Sequence, residues 1–125
     1  MTLSVLIPVF NERATISTAL ERVLREDIVS QVIVVDDGSS DGTREILREM
    51  KPMDSRVEVL FHNRNRGKGA ALRTAIGRAT APIVIIQDAD LEYDPADFKA
   101  VIEPIVRGES NVVYGSRVLH PDNTY

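Results

Sequence analysis

The sequence predicts an α/β protein: a doubly wound, mostly parallel sheet with helices on both faces. Three observations carry this. Short apolar runs alternate with segments of helical periodicity along the whole chain. The runs are apolar at consecutive positions, as in strands covered on both faces. A helix separates each run from the next, and right-handed crossovers then lead to a doubly wound layout.

The elements follow in order. Leu3–Pro8 is a compact apolar strand. Ala14–Arg25 is a helix with Ile16, Leu20, Val23 and Leu24 on one stripe. Gln31–Val35 is a second strand, rich in β-branched residues. Asp41–Met50 is a short helix that buries Ile46, Leu47 and Met50, with Asp41 or Ser40 as its cap. Val57–Phe61 is a third strand. Gly67–Ala79 is an alanine-rich helix with Ala71, Leu72, Ala75, Ile76 and Ala79 inward. Pro82–Gln87 is a fourth strand, apolar on both faces. Asp94 caps a further helix, with Pro95 at its first position, Asp97 at its third, and Phe98, Val101, Ile102, Ile105 and Val106 as its buried stripe. Asn111–Tyr114 is a fifth strand.

The 125 residues fit one domain, and the 43% hydrophobic content supplies a core. No window is long and apolar enough to span a bilayer, and no basic region precedes the first apolar run, so no signal peptide is expected. The lack of cysteine excludes disulfides and thiolate metal sites. Fifteen basic residues against nineteen acidic ones give a net charge of −4, which argues against nucleic-acid binding.

In such sheets ligands bind beyond the carboxyl ends of the strands, where strand order reverses. Every such end here is polar, and three carry carboxylates: Glu12 after the first strand, Asp36 and Asp37 after the second, Asp88, Asp90 and Glu92 after the fourth. Acids gathered on one rim repel one another, so a cation is expected among them. Asp88-Ala89-Asp90 is the sharpest feature, since two carboxylates just past a buried strand can share a hard divalent ion. Glu92 adds a third at the next alternate position. One cap suffices for the helix at Asp41, which leaves Asp36 and Asp37 to accept hydrogen bonds from a base or ribose. An EF-hand reading of the same loop fails, because Arg48 stands where a glutamate is required. Gly67-Lys68-Gly69 opens a helix with backbone N–H groups and a cation, suited to an anion or to close helix packing. It is neither a dinucleotide fingerprint nor a Walker loop. Arg117 is a phosphate partner or a surface arginine, and His62 and His120 read as loop histidines.

The ordered series Val5–Glu12, Ile33–Thr43, Asn65–Ala71, Gln87–Glu92 and Tyr114–Arg117 resembles family 2 glycosyltransferases of the GT-A fold. It is most similar to their polyprenyl-phosphate branch, the dolichyl-phosphate mannose and glucose synthase-like enzymes. The resemblance implies that residues 1–125 form a nucleotide-sugar-binding domain, the N-terminal portion of a GT-A domain. It implies that Pro8, Phe10, Glu12, Asp36, Asp37, Gly67, Lys68 and Asp88 bind the nucleotide. Asp88, Asp90 and Glu92 would hold Mg²⁺ or Mn²⁺, and Asp90 and Arg117 would act in catalysis, with Arg117 on the diphosphate. The implied donor is a UDP- or GDP-sugar and the acceptor a polyprenyl phosphate or glycan, with inversion. The implied location is the cytoplasm or the cytoplasmic face of the membrane. Family domains continue well past the segment matching Gly115-Ser116-Arg117, so either a fragment or a reduced relative is expected, one that dimerises through the uncovered side. The alternative is a non-catalytic nucleotide-binding module. A sugar-1-phosphate nucleotidyltransferase would show a glycine-rich basic loop at Pro8–Glu12, and a phospho-receiver domain an acidic pair there.

Overall fold

A computed structural model describes residues 2–51, 54–92, 94–100 and 102, and the strand backbone at 112–114 and 117–119. The described elements are β1 (Leu3–Val9), α1 (Ile16–Leu24), β2 (Val29–Asp36), α2 (Thr43–Met50), β3 (Val57–Phe61), α3 (Lys68–Ile76), β4 (Ile83–Ile86), β5 (Val112–Tyr114) and β6 (Arg117–Leu119). A 3-10 turn, Pro95–Asp97, lies between β4 and β5. The strands form one sheet in the order β3-β2-β1-β4-β5-β6. All neighbours pair in parallel except β5 and β6, which are antiparallel.

The consecutive apolar residues divide by parity, as the two-residue period of a strand requires. Leu3, Val5, Ile7 and Val9 of β1 join Val32 and Val34 of β2 and Ile83 and Ile85 of β4. These meet Ile16, Leu20 and Val23 of α1, Leu47 of α2, and Phe98 and Ile102. On the other face Leu6, Ile33, Val35 and Ile86 meet Ala71 and Ala75 of α3. Helices therefore cover both faces, and β1 lies at the centre. The chain builds β1, β2 and β3 outward in one direction, then crosses behind the sheet through α3 to place β4 on the other side of β1. The point of reversal lies between β1 and β4.

The structure departs from the sequence reading in three places. Ile76, expected inward, is the last residue of α3 and stands 49% exposed, while Ala70 is buried in its stead. Alanine at the inward positions lets the helix lie close to the sheet, which narrows the buried stripe. Asp94 does cap, accepting from Ala96 N–H at 3.0 Å; the first turn it opens is 3-10, and helical residues follow at 98–100 and 102, with Phe98 and Ile102 buried as expected. The residues after Tyr114 return as β6, with Arg117 paired to Tyr114, a hairpin strand too short for a periodic signal. Val101, Ile105 and Val106 of the expected stripe, Gly115, Ser116 and His120 lie outside the described residues.

Candidate functional site

At the carboxyl ends of the strands each loop is bonded to the next. The β1 loop turns at Asn11, whose φ of 52° is left-handed, a conformation asparagine tolerates. Asn11 N–H donates to Ser39 Oγ at 2.8 Å, and Asn11 Oδ1 accepts from Ser40 N–H at 2.9 Å. Glu12 N–H donates to Thr43 Oγ1, and Arg13 N–H to Asp41 Oδ2. The β2 loop then reaches the β3 loop. Asp37 Oδ2 accepts from Gly67 N–H at 2.8 Å, and its Oδ1 accepts from Arg66 N–H at 2.9 Å. Lys68 Nζ donates to Asp88 Oδ1 at 2.7 Å, which ties the start of α3 to the end of β4. The cap position of α2 is Gly42, at φ 104°, rather than the expected Asp41 or Ser40; Asp41 still serves the start of the helix, where its Oδ1 takes the Thr43 N–H and hydroxyl, and the hydroxyl bond holds its carboxyl below the usual range.

These loops line a cleft of about 450 Å³, open to solvent, at the β1/β4 reversal. Pro8, Val9, Phe10 and Glu12 line it from β1, and Asp37 from β2. Asn65, Gly67, Lys68 and Ala71 line it from the β3 loop and α3, and Asp88, Ala89 and Asp90 from the end of β4. Phe10 is 45% exposed, an apolar ring at a polar mouth. Seven of the eight residues expected at the nucleotide thus share one wall; Asp36 does not.

Strand parity accounts for Asp36. It follows Val32 and Val34 onto the α1/α2 face and is fully buried. There its Oδ2 accepts from Ser39 N–H at 3.1 Å and lies 3.6 Å from Arg44 Nε, while its Oδ1 has no hydrogen-bond partner among the described residues. Arg44 in turn stacks its guanidinium 5.0 Å from the centre of the Phe61 ring. Asp36 holds the turn from inside, and Asp37, one residue on, faces the cavity side.

Asp88 and Asp90 offer hard oxygen donors on the same wall, and Asp88 already accommodates one cation, the Lys68 ammonium. That donor set suits Mg²⁺ or Mn²⁺ shared with phosphate oxygens. The expected third ligand is not brought in. Among the described residues no three His, Cys, Asp or Glu side chains gather as a metal group. Alternation from Asp88 to Glu92 presumed an extended chain. Instead Leu91 adopts φ 66°, and Asp90 Oδ1 accepts from Glu92 N–H at 3.0 Å, which turns Glu92 outward to solvent. A left-handed leucine is a costly conformation of the kind that clusters at functional sites. Arg117 contributes its backbone to β6, and its side chain lies outside the described residues.

Two residues went unassigned in the sequence. Asn65 lines the cavity. His62, read as a loop histidine, is buried and bonded through both ring nitrogens, Nδ1 to Asp37 Oδ1 at 2.7 Å and Nε2 to Thr74 Oγ1 at 2.9 Å. The strand register carried the signal: Asp36 stands opposite Phe61, so Asp37 falls beside His62. Burial tends to raise the Asp37 carboxyl, but the His62 bond and the Arg66 and Gly67 amides outweigh it, and the net shift is downward.

A match to the glycosyl transferase family 2 profile spans residues 4–125. The chain belongs to that family. It is 37% identical over 110 residues to undecaprenyl-phosphate 4-deoxy-4-formamido-L-arabinose transferase of Aeromonas hydrophila subsp. hydrophila, covering 84% of this chain and 34% of that protein. It is 30% identical over 131 residues to UDP-N-acetylglucosamine--dolichyl-phosphate N-acetylglucosaminyltransferase of Methanococcus voltae, covering 93% and 52%. Both are named for polyprenyl phosphates, the branch the motifs resemble. Mannosyltransferase PcManGT of Pyrobaculum calidifontis, solved with GDP-Man and Mn²⁺, matches with a TM-score of 0.69 at 32% identity, over 78% of this chain and 30% of that one. Residues 1–349 of S. aureus TarS, solved with UDP-GlcNAc, match with a TM-score of 0.71 at 25% identity, over 88% and 32%. The chain spans about a third to a half of the length of these curated relatives. Among the described residues no helix is long and apolar enough to cross a membrane.

Proposed function

We propose that the cavity holds the nucleoside diphosphate of a UDP- or GDP-sugar, and that the whole protein transfers this sugar to a polyprenyl phosphate with inversion. One observation carries the reading: residues scattered from Pro8 to Asp90 in sequence converge on a single wall at the strand-order reversal, in a chain of this family. Phe10 offers a ring face to the base, and Glu12 and Asp37 offer acceptors to base and ribose. Lys68 and the Gly67 backbone face the diphosphate.

Asp88 and Asp90 would hold Mg²⁺ or Mn²⁺, which would supply positive charge against the departing diphosphate. Lys68, released from Asp88, adds a further cation there, and Arg117 is assigned to the same charge by resemblance. The acceptor oxygen forms its bond to the anomeric carbon as the bond to the diphosphate oxygen breaks. A phosphate monoester oxygen is already anionic near neutral pH. No general base is then needed, in keeping with the cavity wall, where Asp88 is engaged by Lys68, Asp90 by the Glu92 amide, Asp37 by His62 and two amides, and Glu12 by the Thr15 hydroxyl.

The test is a transfer assay on the whole protein with labelled UDP- and GDP-sugars and a short-chain polyprenyl phosphate. The reading expects an inverted glycosyl phosphate and loss of product with Asp90→Asn. Transfer to the free polyprenol but not to its phosphate would overturn it.

A further inference from the structure

His62 has no part in the donor chemistry, yet it stands behind it. It is 7% exposed, and both ring nitrogens are engaged. Asp37 as a carboxylate can only accept, so Nδ1 carries a proton, and Nε2 pairs with the Thr74 hydroxyl. Asp37 Oδ1 is shared by the His62 ring and the Arg66 amide, and Oδ2 takes the Gly67 amide. Three chain segments therefore meet at one carboxylate, the end of β2, the residue after β3 and the loop at 65–67, and the last turn of α3 joins them through Thr74 on His62. That loop lacks regular structure, and Gly67, at φ 99° and ψ 157°, has nothing within 4 Å of where a side chain would begin. No packing against a Gly67 side chain fixes this end of the loop, so its bonds to Asp37 add to the close approach of Arg64 and Asn65 to Gly38 and to the Gly67 carbonyl bond with Ala71 N–H.

We infer that His62 is a positioning residue for the donor cavity: through Asp37 it fixes the Arg66 and Gly67 amides, and with them the wall formed by Asn65, Gly67 and Lys68. The inference rests on the donor reading for its consequence, though not for its mechanism. A carboxylate held only by two amides of one loop can turn with that loop. The imidazole, itself anchored to α3 through Thr74, prevents this by fixing Oδ1 from the opposite side.

Amide hydrogen exchange in the nucleotide-free protein tests it directly, followed by UDP and GDP titration. His62→Leu fills the space without a donor; it should speed exchange at Arg66 and Gly67 and weaken the preferred nucleotide about tenfold, the scale of one lost hydrogen bond to a charged group. His62→Asn restores a donor near the Nδ1 position and should recover most of both. If His62→Leu does not fold, His62→Gln replaces it, since its amide reaches toward Thr74 rather than Asp37 and should lose protection that Asn keeps. Unchanged protection in the Leu variant, or an Asn variant no better than Leu or Gln, would overturn the inference. Wild-type protein that binds neither nucleotide would remove the donor reading, while the exchange data would still decide the role of His62.

Discussion

Replacing Gly38 by alanine should unseat the loop that carries the cavity wall. Gly38 has φ 81°, and a Cβ there would stand 2.5 Å from Arg64 C, 2.5 Å from Asn65 N and 2.9 Å from Arg64 Cα. All three are backbone atoms, so no side chain can swing aside. Forcing alanine into the left-handed region costs about 1–2 kcal/mol. Overpacking against fixed atoms adds roughly 1–3 kcal/mol. The sum, about 2–5 kcal/mol, is a large share of the roughly 5–15 kcal/mol by which small domains are stable. Gly67→Ala is the internal control. It also has positive φ but open space around the new methyl, so only the backbone term of about 1–3 kcal/mol applies. Urea unfolding of both variants measures the difference. With a slope of about 2 kcal/mol per molar, Gly38→Ala should lower the midpoint by about 1–2.5 M and Gly67→Ala by less. The Gly38 variant should also bind nucleotide more weakly, because Arg64 and Asn65 lead directly into the Arg66 and Gly67 amides held by Asp37. A midpoint shift for Gly38→Ala no larger than that for Gly67→Ala would refute the steric argument.

Three further outcomes follow from the same geometry. Asp37→Ala removes the acceptor for the His62 ring and two amides and should weaken UDP or GDP binding by about 1–3 kcal/mol, read by calorimetry. Lys68→Met removes the ammonium from Asp88 and should tighten Mn²⁺ binding in the absence of nucleotide, read by the paramagnetic signal of free Mn²⁺, while weakening nucleotide binding. Arg56 holds the Asp54 carboxyl below its ordinary 3.8 and ties it to the carbonyls of Leu24 and Val29. A depressed carboxylate stabilises the fold above its unfolded pKa and loses that contribution as pH falls through the folded one. Asp54→Asn should therefore flatten the acid limb of unfolding midpoint against pH and lower the midpoint at neutral pH.

The parallel sheet was legible because β1, β2 and β4 are apolar at consecutive positions, and the alternation of the two clusters is what such runs must produce. Most of the cavity wall was legible for a related reason: strand ends of a doubly wound sheet converge, so polar residues there are neighbours whatever their separation in sequence. What escaped depended on direction rather than on residue type. Asp36 and Asp37 look equivalent as a pair, but one strand step sends them to opposite faces. Glu92 looks like a third ligand until Leu91 turns left-handed. His62 looked isolated because its partners, Asp37 and Thr74, are brought to it by register and by the crossing of α3. The periodicity of α3 favoured Ile76 by hydrophobicity, whereas close packing chose the alanines.

The central claim is that the β1/β4 cavity is a donor-nucleotide site with a divalent ion at Asp88 and Asp90. Calorimetric titration of UDP and GDP, with Mn²⁺ and with EDTA, on wild type and Asp90→Asn tests it most directly. The account predicts binding of one of the two nucleotides, strengthened by Mn²⁺ in the wild type and indifferent to Mn²⁺ in the variant. Binding of equal strength with and without metal in the wild type, or no binding of either nucleotide, would contradict it.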